Sequence, residues 1–263
     1  MSAAPLSAAP IGTVTLQLDQ VGKRFGGLPA VEALSMTVRP GTITGLIGPN
    51  GAGKTTVINL IMGLLKLTSG RILFEGRDVS TLEAADLARA GIARTFQNIR
   101  LVTEGTVLDN VLSGFHVHQQ TGFWANLLGL SSARAEQSSH RSQAMALLQR
   151  FGMAHLAEHR AGTLSYGHQR RIEMMRALAM KPRLLLLDEP VAGMNDAEAA
   201  ELGHIFSQVA AEGVAILLVE HNMRFVTQVC SQLYVSASGK LIAQGKPAEV
   251  LADPAVIEAY LGS

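Results

Sequence analysis

The segment Gly48–Thr55, which reads Gly-Pro-Asn-Gly-Ala-Gly-Lys-Thr, constrains the fold of this chain more than any other feature. An apolar run at Ile43–Ile47 precedes it and is typical of a buried strand, and a helical pattern at Thr55–Leu65 follows. A glycine loop between strand and helix that ends in Lys and Thr is the pattern that surrounds nucleotide phosphates. The predicted phosphate-binding residues are Gly48, Pro49, Asn50, Gly51, Ala52, Gly53, Lys54, Thr55 and Thr56.

The residue types in this loop have distinct chemical tasks. Glycines let backbone N–H groups turn toward phosphate oxygens, and the helix that follows presents its positive N-terminal end. We expect Lys54 to contact the β- and γ-phosphates and the hydroxyl of Thr55 to bind Mg²⁺. The predicted ligands are therefore ATP and Mg²⁺.

A second motif is the apolar run Leu184–Leu187, followed directly by Asp188 and Glu189. Such a strand delivers both carboxylates to its C-terminal end, where open α/β sheets bind ligands. Because neighbouring strand residues point in opposite directions, Asp188 can face Mg²⁺ while Glu189 faces the water that attacks the γ-phosphate. Alone, the pair would fit a solvated turn, but the phosphate loop upstream favours the catalytic interpretation.

The remaining pattern predicts an α/β fold, a P-loop NTPase (RecA-like) core with an antiparallel β lobe and an inserted helical subdomain. We expect residues 1–11 to be a disordered tail, and residues 12–97 and 181–263 to form the core with its β lobe and C-terminal helices. Residues 98–180 are expected to form the helical subdomain. Predicted strands are Thr13–Leu18, Ser35–Val38, Val214–Val219, Gln232–Val235 and Leu241–Ala243, and predicted helices are Ala133–Phe151, Gln169–Ala179 and Ala197–Ala210, with two more after Pro247.

Composition narrows the class of function. The net charge of the 263 residues is +1, so there is no basic excess of the kind that indicates nucleic-acid binding, and we expect no nucleic-acid partner. No apolar run reaches the roughly 18 residues that would predict a bilayer span, so we expect any membrane role to depend on a partner. A single cysteine, Cys230, fits a reducing compartment and a buried position.

The segment Leu164–Arg171, Leu-Ser-Tyr-Gly-His-Gln-Arg-Arg, precedes a predicted helix and lies ahead of the carboxylate strand. Together with the two motifs above, it resembles the signature motif of the nucleotide-binding subunits of ABC transporters. The resemblance implies that Ser165 and Gly167 contact the γ-phosphate of a nucleotide held by a second ATPase subunit. Two chains would then complete each site, and the second subunit is either a copy of this chain or a paralogue.

Three other residues each resemble a single functional position of the family. Gln97 looks like the glutamine that senses Mg²⁺ and the attacking water, and His221 looks like the histidine that contacts the γ-phosphate. Phe25 aligns with the aromatic residue that stacks on adenine. Without the motifs, His221 would more often be structural and Phe25 a core residue.

Within the family, Arg94–Leu101, Val219–Met223 and Val256–Gly262 look like the branched-chain amino acid uptake branch. That resemblance implies an amino-acid importer with separate transmembrane permease subunits, fed by a periplasmic binding protein, and a peripheral place on the cytoplasmic face of the inner membrane. His168 departs from the usual glutamine and Asp196 from a frequent proline. The helical part also contains the aromatic residues Phe115, Phe123 and Trp124, which form either a docking surface for the permease or a local core.

Three alternatives stay open at this point. The importer could carry another small solute, such as an amide, urea or an aromatic acid. A soluble ABC protein acting on nucleic acid is a second alternative, although the chain lacks the long coiled coil or second cassette usual there. A small-molecule kinase is the third, and the segment Leu164–Arg171 argues against it.

Overall fold

The computed structural model describes residues 14–95, 100–118 and 131–261, and these form ten strands in two sheets with nine α-helices around them. The strands are β1 (Leu16–Phe25), β2 (Leu28–Val38), β3 (Ile43–Ile47), β4 (Ser69–Phe74), β5 (Arg77–Asp78), β6 (Ile92–Arg94), β7 (Leu184–Asp188), β8 (Ala215–Val219), β9 (Gln232–Ala237) and β10 (Lys240–Gly245). The helices are α1 (Lys54–Ile61), α2 (Ala84–Arg89), α3 (Val107–Ser113), α4 (Ser131–Arg150), α5 (Tyr166–Ala179), α6 (Asp196–Ala211), α7 (Met223–Val229), α8 (Pro247–Leu251) and α9 (Pro254–Leu261). The predicted tail lies outside the described residues.

The larger sheet has the strand order β10-β9-β3-β8-β7-β6. Its strands β9, β3, β8, β7 and β6 are parallel, and β10 pairs with β9 in the antiparallel direction. The predicted buried strands are confirmed, and every residue of β3, β7 and β8 is buried. Because β3, β8 and β7 are neighbours, the loops after them meet at one edge of the sheet, which is where open α/β sheets bind ligands.

The smaller sheet is antiparallel, with the order β2-β1-β4-β5. The predicted lobe is confirmed, but its first two strands are much longer than the predicted segments. Register shifts interrupt the pairing of β1 with β2, and Gln20 and Ala33 have φ of 52° and 49°. These irregularities break the alternation of apolar and polar residues, which is why the sequence pattern missed most of both strands.

The core has two parts, one on each face of the larger sheet. In β7, Leu184 and Leu186 pack with α1 and the antiparallel sheet, while Leu185 and Leu187 pack with α3–α6. This alternation follows from the two-residue repeat of a strand. Asp188 continues the first series, so its side chain faces α1.

Between Arg100 and Met180 the described residues form α3, α4, α5 and short 3₁₀ turns, with one isolated β-bridge between Thr106 and Arg160. The limits of a separate helical subdomain stay a prediction. None of the helices in the described ranges is both long and apolar enough to cross a membrane.

Candidate functional site

The phosphate loop joins β3 to α1, as the sequence predicted. Gly48 and Gly53 have φ of 152° and 89°, in the region that favours glycine. A Cβ atom would lie 2.0 Å from the carbonyl oxygen of Ser236 at Gly48, and 2.3 Å from that of Ala30 at Gly53. These two positions therefore accept only glycine, and the loop backbone can close around a ligand.

The start of α1 is suited to an anion. Its N-cap is Gly53, and among the described residues no side chain caps the helix and no acidic residue lies in its first turn. The first N–H groups of a helix lack intrahelical acceptors and carry a partial positive charge. Together with the exposed hydroxyl of Thr55, they line one wall of a cavity of about 310 Å³ that also includes Lys54 and Glu189. These donors fit a nucleotide phosphate.

Lys54 folds back over the loop. Its Nζ donates hydrogen bonds to the carbonyl oxygens of Gly48 at 2.6 Å and Pro49 at 2.9 Å. Burial lowers the pKa of Lys54 from its ordinary value, against the smaller opposing effects of the Glu189 and Asp188 carboxylates. The lysine and both carboxylates therefore act on one another across the site.

Asp188 is held in a buried ion pair. Its Oδ2 accepts a hydrogen bond from Nη2 of Arg94 at 3.0 Å, and the two side chains are 3% and 6% exposed. Nη1 of Arg94 donates to Oδ1 of Asn59 on α1 at 2.6 Å. Arg94 thus fixes the position of the carboxylate, which together with the hydroxyl of Thr55 supplies the hard oxygen donors that Mg²⁺ prefers. Sequence analysis missed Arg94 and Asn59 as supports of Asp188.

Glu189 follows β7 and has a φ of 49°, which is unusual for a residue with a side chain. Its backbone N–H donates to the carbonyl oxygen of Val219 at 2.8 Å. Oε1 of Glu189 lies 3.7 Å from Nδ1 of His221, and the histidine side chain is 65% exposed. The structure therefore places two of the predicted catalytic residues side by side, with Glu189 bordering the cavity.

Glu220 is a second residue that sequence analysis missed. Its side chain is fully buried, at 0% exposure. One carboxylate oxygen accepts the backbone N–H of Val191 at 3.1 Å, and the other accepts those of His221 at 2.9 Å and Asn222 at 3.2 Å. Glu220 thus joins the turn after Glu189 to the loop that carries His221. In the sequence, Glu220 is recognisable only as the neighbour of His221. Its contact with Val191, 29 residues away, could not be read from local pattern.

Ser165 caps the N-terminus of α5 and is exposed. Its Oγ lies 3.1 Å from Nδ1 of His168 and 3.4 Å from the backbone N–H of the same residue. Among the described residues that line the cavity at the phosphate loop, neither Ser165 nor Gly167 appears. The structure thus brings Lys54 and Glu189 together within one chain and leaves the N-terminus of α5 facing outward.

Comparisons with known proteins decide the family. The protein-family model described as "ABC transporter" matches residues 31–192. A second family model, "Branched-chain amino acid ATP-binding cassette transporter", matches residues 240–263. Among curated relatives, "High-affinity branched-chain amino acid transport ATP-binding protein LivG" of Escherichia coli is 40% identical over 248 residues, covering 94% of this chain and 97% of that protein. The BraF protein of Pseudomonas aeruginosa, which carries the same description, is 38% identical with the same coverage.

The chain belongs to the ATP-binding subunits of ABC transporters. A solved nucleotide-free ATP-binding cassette from an ABC transporter agrees with its fold at a TM-score of 0.83, with 34% identity and coverage of 95% of this chain and all of that one. The ADP conformation of the cassette MJ1267 matches equally well. The α/β P-loop NTPase fold expected from the sequence is confirmed.

Other predicted positions of this ABC subunit have different outcomes. Phe25, at the tip of the β1–β2 hairpin, is 46% exposed and lies with its ring centroid 5.0 Å from Nζ of Lys23, so it is not a core residue. Phe115 is buried and stacks on His140, so its interpretation as local core holds. Predicted residues that lie outside the described ranges are Gln97, Phe123 and Trp124.

Proposed function

We propose that this ABC subunit hydrolyses ATP to power the import of branched-chain amino acids through separate transmembrane permease subunits. The observation that carries the proposal is the meeting of Lys54, Glu189 and His221 at the ends of three neighbouring strands. The solute class is supported by the C-terminal match at residues 240–263 and by relatives described as branched-chain amino acid transport ATP-binding proteins.

In this proposal the glycine loop and the N-terminus of α1 bind the phosphates of ATP, and Lys54 leaves its loop carbonyls to contact the β- and γ-phosphates. Phe25 stacks on adenine. Thr55, Asp188 and Gln97 are the residues that would hold Mg²⁺. When bound, the cation neutralises the charge on the transferring phosphoryl group.

Glu189 is the proposed general base. Its carboxylate borders the phosphate cavity and is 27% exposed, so it can accept a proton from a water molecule placed against the γ-phosphate. The imidazole of His221, next to it, can donate a hydrogen bond to a γ-phosphate oxygen. Its side chain is 65% exposed, so the ring is accessible to such an oxygen.

A second ATPase subunit completes each site. We propose that Ser165 and Gly167, at the N-terminus of α5, contact the γ-phosphate bound to the partner chain, so that ATP closes the dimer and hydrolysis opens it. The subunit would lie peripherally at the cytoplasmic face of the membrane and pass its motion to the permease. A periplasmic binding protein would deliver the solute to that permease.

Uptake in cells tests the function. A strain that lacks its own copy would carry wild type, Glu189→Gln, or Glu158→Gln, in which the same chemical change falls on a side chain that is 70% exposed. We expect Glu189→Gln alone to abolish uptake of labelled leucine, isoleucine and valine, and to leave uptake of amides, urea and aromatic acids unchanged. Loss of a different solute would contradict the proposed substrate, and loss of none would contradict the transport role.

A further inference from the structure

Arg170 is among the largest fully buried side chains of the described structure. It lies on α5, and Nη1 donates to Oε2 of Glu173 at 2.8 Å. Nη2 donates to two backbone carbonyl oxygens, those of Asp188 and Glu189, each at 3.0 Å. One guanidinium therefore binds the two peptide groups that flank the Cα atom of Glu189.

Arg170 can bind both carbonyl oxygens only if the backbone at Glu189 has a particular conformation. In an extended chain, successive carbonyls point to opposite sides, whereas in either helical region of φ and ψ they point roughly the same way. Glu189 has a φ of 49°, in the left-handed region, although it directly follows β7. A side chain in that conformation costs free energy and persists only where the surroundings enforce it.

We propose that Arg170 is a positioning residue for ATP hydrolysis, which holds Glu189 in its left-handed conformation and so aims the carboxylate at the phosphate cavity. This inference rests on the proposed role of Glu189 as the base. Glu173 serves Arg170 as a buried counterion, with 1% side-chain exposure. Arg170 is fully buried and does not border the phosphate cavity, so in this proposal it acts through Glu189.

The test must avoid a lone buried charge, because removing one partner of a buried pair is strongly destabilising. The double variant Arg170→Met/Glu173→Met removes both charges and keeps long apolar side chains in their place. A control is Arg150→Met/Glu212→Gln, which removes an Arg–Glu pair between the end of α4 and the residue that follows α6. Steady-state ATP hydrolysis, ATP affinity and the urea midpoint would be measured for each protein.

We expect the double variant to keep the wild-type affinity and KM for ATP while kcat falls by about 100-fold, the scale on which a misplaced catalytic group acts. The control variant should keep wild-type kcat. A double variant that folds and retains full kcat would overturn the inference. If it does not fold, Arg170→Lys decides, since lysine keeps the charge beside Glu173 but has one nitrogen in place of the two that bind the carboxylate and the carbonyls. Full kcat in that variant would also overturn the inference.

A mutant cycle separates a positioning role from a merely structural one. In a Glu189→Gln background, measured by single turnover, the Arg170→Met/Glu173→Met change should cause no further loss of rate, because the group that Arg170 positions is already gone. An equal further loss in that background would overturn the inference while leaving the proposed function intact. Wild-type hydrolysis by Glu189→Gln alone would instead refute the proposed base.

Discussion

Replacing Glu220 with glutamine should weaken both the fold and the catalysis. The buried carboxylate accepts three backbone N–H groups, from Val191, His221 and Asn222. An amide of the same shape offers a single acceptor oxygen. We expect the oxygen to stay with His221 and Asn222, because that orientation keeps two bonds, and the amide NH₂ then faces the N–H of Val191.

The magnitude follows from these contacts. The substitution loses one hydrogen bond to a charged group and changes two others to neutral ones, so the free energy of unfolding should fall by about 2–4 kcal/mol. The turn after Glu189 and the loop of His221 lose their connection through this side chain. Because both residues border the site, kcat should fall by about tenfold while ATP affinity changes little.

Urea unfolding and steady-state hydrolysis measure the two effects of Glu220→Gln, with Glu158→Gln as a control for the same chemical change on the surface. We expect the control to match wild type in both assays. A Glu220→Gln protein with wild-type stability and wild-type kcat would refute the reasoning from buried acceptors. A fall in stability with unchanged kcat would refute only the link between the two loops.

Three further predictions concern the loop and the lone thiol. Gly48→Ala should lower the urea midpoint by more than Gly51→Ala does, since a Cβ atom at Gly48 meets a backbone oxygen at 2.0 Å while one at Gly51 meets nothing within 4 Å. Equal midpoints in the two variants would contradict this. Lys54→Met should weaken binding of a fluorescent ATP analogue at least tenfold without lowering the urea midpoint, and unchanged affinity would exclude a phosphate contact. Burial raises the pKa of Cys230 to about 12, from an ordinary 9.0, so the folded thiol stays neutral where the unfolded one ionises. Stability should therefore fall between about pH 9 and 12, by about 1.4 kcal/mol per pH unit, and Cys230→Ala should lack this contribution in urea titrations at pH 8 and pH 10.

The sequence predicted best what short-range patterns encode. The phosphate loop, the apolar runs of β3, β7 and β8 and the helix predicted from Ala197 all depend on neighbouring residues, and the structure has them close to the expected bounds. The α1 helix ends at Ile61 instead of Leu65, because the chain turns at Gly63, which has a φ of 65°.

The supports of the site could not be predicted in this way. Arg170 and Glu220 are polar residues whose sequence context is that of an amphipathic helix and a strand end, and their burial depends on partners 18 and 29 residues away. Arg94 and its partner Asp188 are 94 residues apart. Only the folded chain shows that these charges are buried and paired, so local pattern gives the proposed catalytic residues but not the side chains that hold them.

The most direct test of the account is ATP hydrolysis by the purified subunit and its Glu189→Gln variant, with the oligomeric state measured by light scattering in the same solutions. We predict that the variant binds ATP as well as wild type, hydrolyses it slower by about 100-fold or more, and accumulates as an ATP-bound dimer. Hydrolysis at the wild-type rate by Glu189→Gln would contradict the central claim that this carboxylate is the base of a two-subunit ATPase.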